Sequence, residues 1–326
     1  MYSEKLQLAL EDDLSGLPDT APVFGTRPWL EATRKALPFP LKVLKVYKGD
    51  GLAAYLPLQL IRKGGIVKGF VPILTFYGGP YFTTQSRKYF NEDVKERYEI
   101  LAGILDYLGR EFHYSLLLPE TCDARVALEK KWRCTPRYTV INMLKSADSL
   151  EFNRACSKSI RKAERLGLTF GETVGDGAFE EAYARTFRRK GIAMSWQPRW
   201  AAGLRRELTG SGLLDHLSVR TAEGGEIAFA SVALDHFRKS AILWYSCSLA
   251  EADQTGAMHF LIKNLLLRYR EKFETFDLCG ADHRSLSEFK EKFGQKLEVR
   301  FALEKYRGPF SEALIRSYAW VRGAAG

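Results

Sequence analysis

Two phenylalanines and a lysine near the end of the chain have the types and spacing for carbonyl chemistry. Phe289-Lys290-Glu291-Lys292-Phe293-Gly294 follows closely on Phe276-Asp277-Leu278-Cys279-Gly280. The earlier block reads as a short apolar strand ending in glycine, the later one as a helix, with a polar loop between them. An ammonium anchored between two buried aromatic rings can be held beside a reacting carbonyl, where negative charge develops during acyl transfer. The plainer reading makes Lys290 a helix-surface lysine whose neighbours Phe289 and Phe293 pack in the core. Lys292, two residues on, falls on a different helix face. Asp277, Asp282 and His283 sit beside this helix, where a carboxylate or imidazole could take a proton from an amine. Asp277 is expected to bond backbone at the strand terminus, and His283 to be a loop residue. Tyr245, near the end of another strand, could donate to an acyl carbonyl.

A second set of residues suits phosphate. Lys158, Arg161, Lys162 and Arg165 recur at i, i+3, i+4 and i+7, one stripe of a helix expected to be capped near Ser157. The stripe is either a phosphate-binding face or a solvated face of a basic protein. Arg188-Arg189-Lys190-Gly191 closes another helix. Guanidinium forks match phosphate geometry, while basic residues also suit a helix C-terminus with Gly191 as its C′ residue. Gln254-Thr255-Gly256-Ala257 opens a helix, with Thr255 near the cap. The aromatics Trp29, Phe76 and Tyr77 are expected to line cores, although Tyr77-Gly78-Gly79-Pro80 could border a cleft.

Composition sets the bounds. At 326 residues the chain can form two ordinary domains, each with a core. Forty-nine Lys and Arg against 39 Asp and Glu leave a net charge of +10, which favours an anionic partner. The 5 cysteines include no CxxC pair and the 5 histidines no His-x-x-x-His pair, so neither a disulfide framework nor a metal site is expected. Residues Met1 to Asp13 are acidic and lack an apolar run, and the apolar stretch Phe260 to Leu267 is interrupted by Lys263 and Asn264. The expected location is the cytoplasm, without signal peptide or membrane span.

A weak internal repeat organises the rest. Leu41 to Tyr47, the turn Lys48-Gly49-Asp50-Gly51 and Leu52 to Leu60 read as a hairpin; so do Leu217 to Thr221, Glu223-Gly224-Gly225-Glu226 and Ile227 to Leu234. A third strand follows each, at Leu74 to Gly79 and at Ile242 to Ser246. Long helices come next, roughly Lys88 to Arg110 and Thr255 to Lys272, the latter with Met258, Leu261, Ile262, Leu265 and Tyr269 along one face. Short strands at Tyr114 to Leu118 and Thr275 to Leu278, another helix, and final strands ending near Leu144 and Tyr306 complete each half. The join is expected near Leu144 to Leu150.

Hairpin, third strand, long helix, strand, helix, strand is the order of a GNAT-type acyltransferase domain, and the chain resembles the FemAB-like family, built from two such domains. The residues that carry the likeness are Ser159-Ile160-Arg161-Lys162-Ala163-Glu164-Arg165-Leu166-Gly167-Leu168, then Arg189-Lys190-Gly191-Ile192, then the two blocks around Lys290. It covers most of the chain and is clearest from about Tyr138 onward. The resemblance implies an α/β fold of two tandem GNAT-like domains with mixed sheets. Residues 1–146 would form a non-catalytic domain that shapes the acceptor cleft, and 147–326 the domain carrying the catalytic site. It implies an N-acyltransferase that forms an amide between an activated acyl or aminoacyl donor and an amine acceptor. Lys290, beside Phe289, would steady the oxyanion, with Asp282 and Tyr245 as further catalytic candidates. Lys158, Arg161 and Lys162 would lie on the acceptor or tRNA side, and Arg189 would contact the acceptor's phosphates. Gln254, Thr255 and Gly256 fall where GNAT enzymes bind the CoA pyrophosphate at a helix N-terminus, but one spacing residue and the second glycine position are missing.

That departure weighs against CoA in the second domain. The implied donor is an aminoacyl-tRNA, with acyl-CoA second, as co-substrate rather than bound cofactor. The implied acceptor is an amine, such as that of a nucleotide-linked cell-wall precursor. Bridge-forming members often carry a long coiled-coil arm for tRNA, and no paired-heptad insertion is seen in this sequence. The alternative from another class is a non-catalytic module that binds nucleic acid or a phosphate ligand on a GNAT scaffold.

Overall fold

Glycine-bearing turns between apolar runs fold the chain back on itself, and helices carry it between parallel strands. The computed structural model describes residues 5–18, 20–83, 89–145, 152–173, 175, 177–189 and 198–323. Lys190, Gly191 and Ile192 of the second motif, Lys88 at the expected start of the first long helix, and residues 146–150 of the expected join lie outside the described residues. In chain order the elements are β1 (Leu6–Glu11), α1 (Arg27–Ala36), β2 (Leu41–Lys48), β3 (Gly51–Lys63), β4 (Ile66–Phe70), β5 (Tyr81–Phe82), α2 (Phe90–Glu111), β6 (Tyr114–Leu117), α3 (Ala124–Glu129) and β7 (Arg133–Met143). They continue with α4 (Arg154–Arg165), β8 (Thr169–Glu172), α5 (Gly177–Arg189), α6 (Pro198–Leu208), β9 (Leu214–Arg220), β10 (Glu226–Asp235) and β11 (Ser240–Ser248). The last are α7 (Ala257–Tyr269), β12 (Thr275–Asp277), α8 (Arg284–Lys290), β13 (Lys296–Tyr306) and α9 (Pro309–Gly323).

The chain divides into two compact units. The first comprises Met1–Arg34, Pro38–Pro136 and Arg300–Gly326, the second Lys35–Leu37 and Arg137–Val299. Where the contiguous division expects 300–326 with the second half, the described residues 300–323 group with the first unit. In the first unit β1, β2, β3 and β4 pair antiparallel in sequence order, and β5 adds to the early part of β3. β4 runs parallel to β6, a pairing that requires a crossover, and α2 supplies it. Leu303 to Tyr306 of β13 then pair antiparallel with β6. The second unit repeats this order: β8, β9, β10 and β11 antiparallel, β11 parallel to β12 through the α7 crossover, and β12 antiparallel to Ile141–Met143 of β7.

Burial follows from this layering. Residues 53–60 of β3 and 227–235 of β10 are buried on both faces, so they read as largely apolar runs without alternation. In the first unit Ile100, Leu101, Ile104, Leu105 and Leu108 of α2 join Leu44, Val46, Leu56 and Leu58 in one core. In the second, Leu261, Ile262, Leu265 and Leu266 of α7 pack with Leu217, Val219, Ala230 and Val232, and with Cys156, Ile160 and Ala163 of α4.

Two expectations are corrected. The third strand of the first half is β4, not residues 74–79. Gly64 and Gly65, both with positive φ (56° and 76°), make a two-residue turn that returns the chain at once. Strand pairing is spent by Phe70, and Leu74 and Tyr77 are buried in a loop instead. The cap of α4 is Asn153, whose Oδ1 accepts from the Cys156 amide at 2.9 Å. Ser157 lies a turn further in and donates to the Phe152 carbonyl.

Candidate functional site

β11 and β12 stay together for three residues only, Ser240 to Ile242 against Thr275 to Asp277. Beyond Asp277 the chain keeps to β7 instead: the Leu278 amide donates to the Val140 carbonyl at 2.9 Å and the Ala281 amide to that of Tyr138 at 2.7 Å. β11 meanwhile runs on to Ser248, with a bulge at Trp244 where its register against β10 slips. The two strands therefore part. A cleft of about 500 Å³ lies there, walled by Ser246, Cys247 and Ser248 of β11, Thr186 and Arg189 of α5, Met258 of α7, and Ser285, Leu286, Phe289 and Lys290 of α8.

Lys290 is placed by the turn that ends β12. Asp277, 2 % exposed, accepts from the Cys279 amide at 2.7 Å and from the Thr139 hydroxyl. These bonds hold Cys279 and Gly280 at positive φ (49° and 39°), a conformation costly for the cysteine. Both carbonyls then accept from the Lys290 ammonium, Gly280 at 2.9 Å. An ammonium has three donors, and two are used in this way. Burial pushes the Lys290 pKa below the ordinary lysine range; the neighbouring Cys279, Asp277 and Asp282 partly oppose that shift.

The aromatic flanks of the motif have separate tasks. Phe289 lines the cleft, while Phe293, 5.4 Å away between ring centroids, is buried. A Cβ on Gly294 would collide with Val140, so the motif's glycine permits close approach to β7. Asp282 is engaged by the backbone of β7, accepting from the Tyr138 amide at 2.7 Å, and pairs with Arg137 at 3.0 Å. Tyr245 is buried edge-on to Tyr183, outside the residues that line the cleft, and burial holds its hydroxyl protonated. His283 is an exposed residue at the N-terminal boundary of α8.

The cationic residues separate into two groups. Arg189 and Lys162 line a second hollow of about 260 Å³, which shares Arg189, Ser248 and Met258 with the first. Lys158, Arg161 and Arg165 line a different hollow on α4. Arg189 pairs with Asp253 at 3.1 Å, and Arg185, one turn earlier on α5, pairs with the same carboxylate at 2.5 Å. Arg185 also donates to the Ser248 and Leu249 carbonyls at 3.3 and 3.1 Å.

At the Gln254-Thr255-Gly256 loop part of the helix N-terminus is already in use. Thr255 Oγ1 already accepts from the Ala257 amide at 3.1 Å, and a Cβ on Gly256 would meet the Ser159 carbonyl of α4. The Asp253 carboxylate, paired with Arg185 and Arg189, lies beside the same loop. Sequence reasoning missed Arg185, Asp253 and His259. The i, i+4 spacing of Arg185 and Arg189 was the available signal for the first. His259 lines the second hollow, its ring 5.1 Å from Phe289 and 5.7 Å from Phe293, and burial followed by the positive Lys292 lowers its pKa. Among the described residues no cluster of metal-binding side chains occurs, and no helix is long and apolar enough to cross a membrane.

At the level of sequence no family model and no curated protein matches the chain. Solved structures do match. FemX is similar with a TM-score of 0.61 at 14% identity, covering 85% of this chain and 90% of FemX. The L-PGS of Bacillus licheniformis gives 0.54 at 14% identity, over 88% of this chain and 89% of that one. A tandem GNAT protein from the clavulanic acid biosynthesis pathway gives 0.50 at 11% identity, over 94% and 99%. The fold is that of the FemAB-like and tandem GNAT-type acyltransferases: mixed α/β, with the same strand order repeated in both units.

Proposed function

We propose that the chain is an N-acyltransferase that joins an activated acyl or aminoacyl group to an amine, with its reacting centre in the cleft between the parted ends of β11 and β12. The observation that carries this reading is the Lys290 ammonium, desolvated and held by two carbonyls where it lines that cleft. In the step proposed, the amine nitrogen attacks the donor carbonyl and an oxyanion forms. The ammonium's remaining donor stabilises that oxygen as charge develops. The new C–N bond is kept, the donor's C–O or C–S bond breaks to release the tRNA hydroxyl or the CoA thiol, and the proton lost by the amine passes to that leaving group through a base. His259, neutral at neutral pH and beside Phe289, is the group we assign to receive it. Asp282 is already committed to Tyr138 and Arg137.

An aminoacyl-tRNA donor is preferred over acyl-CoA, because at the start of α7 the Ala257 amide is already taken by Thr255 Oγ1. Arg189 and Lys162 would then meet the phosphates of donor or acceptor. The likeness to FemX and to L-PGS supports a cell-envelope setting. A second reading, a phosphate-binding module without catalysis, is favoured by the capping use of Lys290 and the exposed cations of α4.

Lys290→Met separates the two. Amide formation is followed by mass spectrometry with aminoacyl-tRNA and acyl-CoA donors against a panel of amines. Turnover should fall by roughly 10²-fold or more with acceptor affinity unchanged. Unchanged turnover in a folded variant would remove Lys290 from the reaction.

A further inference from the structure

In the first unit, the β3–β4 hairpin pairs Ile61 with Lys68 and Lys63 with Ile66. Residues two apart on a strand share a face, as do directly paired ones. Ile61, Lys63, Ile66 and Lys68 therefore form a chequerboard of two isoleucines and two lysines on one side of the hairpin. This side, with Phe39 and with Leu314 and Ile315 of α9, walls a cleft of about 500 Å³. Its chemistry is divided. The isoleucines, Leu314 and Phe39 supply carbon surface, and the lysines supply the charge. Among the described residues that line it, none is acidic. Lys68 has its ammonium 5.9 Å above the Tyr114 ring, an anchor that leaves the charge in place. The apolar surface continues outward along α9, where Leu314 is 43% exposed and Phe310, one turn earlier, 78%.

We propose that this cleft binds a free anionic amphiphile: one alkyl chain along the isoleucine and leucine wall, with its carboxylate or phosphate head at Lys63 and Lys68. The cleft has the volume of a small-molecule site and its predominantly apolar wall with a few polar groups. Two cations on a largely apolar wall select charge of one sign at one end of the ligand. A concave hollow of this size encloses a single chain, whereas a bilayer offers a surface to insert into. The proposal is independent of the acyl-transfer reading, because no residue of that site takes part.

The test uses the full chain and dodecanoate below its micelle concentration, by titration calorimetry. Dodecanoate and dodecyl phosphate should each bind at a single saturable site, with dodecanol at least roughly ten-fold weaker and dodecyltrimethylammonium not at all. Shortening the chain to octanoate should weaken binding by up to about four-fold per methylene removed. Lys63→Gln with Lys68→Gln should cost roughly ten-fold for dodecanoate and leave dodecanol unchanged. Ile66→Glu, a partly exposed position, should abolish both without loss of thermal stability. Three results would overturn the assignment. Dodecanol could bind as tightly as dodecanoate, or the double variant could bind dodecanoate unchanged. Lys-dependent binding to phosphatidylglycerol vesicles without binding of monomeric dodecanoate would make this a membrane-facing surface instead.

Discussion

Lys290 is an expensive residue. A desolvated ammonium is costly unless it is hydrogen-bonded, and the turn built by Asp277 supplies two carbonyls for it at the expense of two left-handed residues. Its lowered pKa has consequences of definite sign. The native state binds this proton less readily than the unfolded chain. Stability contributed by the group is therefore present above the ordinary lysine pKa and is lost as pH falls through the lowered native value. Activity runs the other way, since the oxyanion needs the charged form. We predict that kcat falls on the alkaline side at a lower pH than an ordinary lysine would give, and that Lys290→Arg, if active, loses this limb because a guanidinium stays charged. An alkaline limb retained in active Lys290→Arg would assign it to another group. On the proposed assignment the acid limb would belong to His259, whose lowered pKa keeps it a base to lower pH than usual. His259→Gln should remove that limb with little change in acceptor binding.

At the scale of elements, the site depends on helices approaching closely at glycines. Gly256 has φ +85° and faces the Ser159 carbonyl, which sets how near α4 lies to α7. Gly256→Ala combines a left-handed strain with a backbone collision, and should cost about 2–4 kcal/mol. The melting transition of the second unit should fall by roughly 5–10 °C, as calorimetry would read. The same measurement on Gly224→Ala, at φ +90° in an open turn, should show a smaller loss because nothing meets the added Cβ. Equal losses would mean that the packing of α4 on α7 contributes nothing at Gly256. The exposed Arg189–Asp253 pair is in a different class and is worth at most about 1 kcal/mol to stability.

For the whole molecule, a net charge of +10 predicts affinity for polyanions, but the cations are not equivalent. Arg189 and Lys162 line the hollow next to Lys290, whereas Lys158 and Arg161 line another. Binding of tRNA, measured by fluorescence anisotropy over a salt series, should weaken steeply with salt. Arg189→Gln and Lys162→Gln should each lower the slope by about one. Asp253→Asn should tighten binding, since it removes a competing carboxylate from Arg189. Saturating acetyl-CoA should leave the melting temperature unmoved. A clear rise with CoA would reverse the donor preference.

Local patterns determined much of this. Apolar runs separated by Gly turns marked the hairpins at 41–60 and 217–234, and the 3.6-residue period marked α7, because those signals report burial within one element. The repeated order of elements identified the architecture, and the Phe-Lys-x-x-Phe-Gly spacing singled out Lys290. What stayed hidden depended on partners distant in sequence. The pairings of β13 with β6 and of β7 with β12 join segments far apart in sequence, which no window of residues encodes. The parting of β11 from β12 arises because residues 278–281 find their hydrogen bonds on β7. The division of one basic stripe between two hollows follows from the packing of α4 on α7, so spacing along a helix could place four cations on a face but not choose which of them lines the hollow beside the cleft.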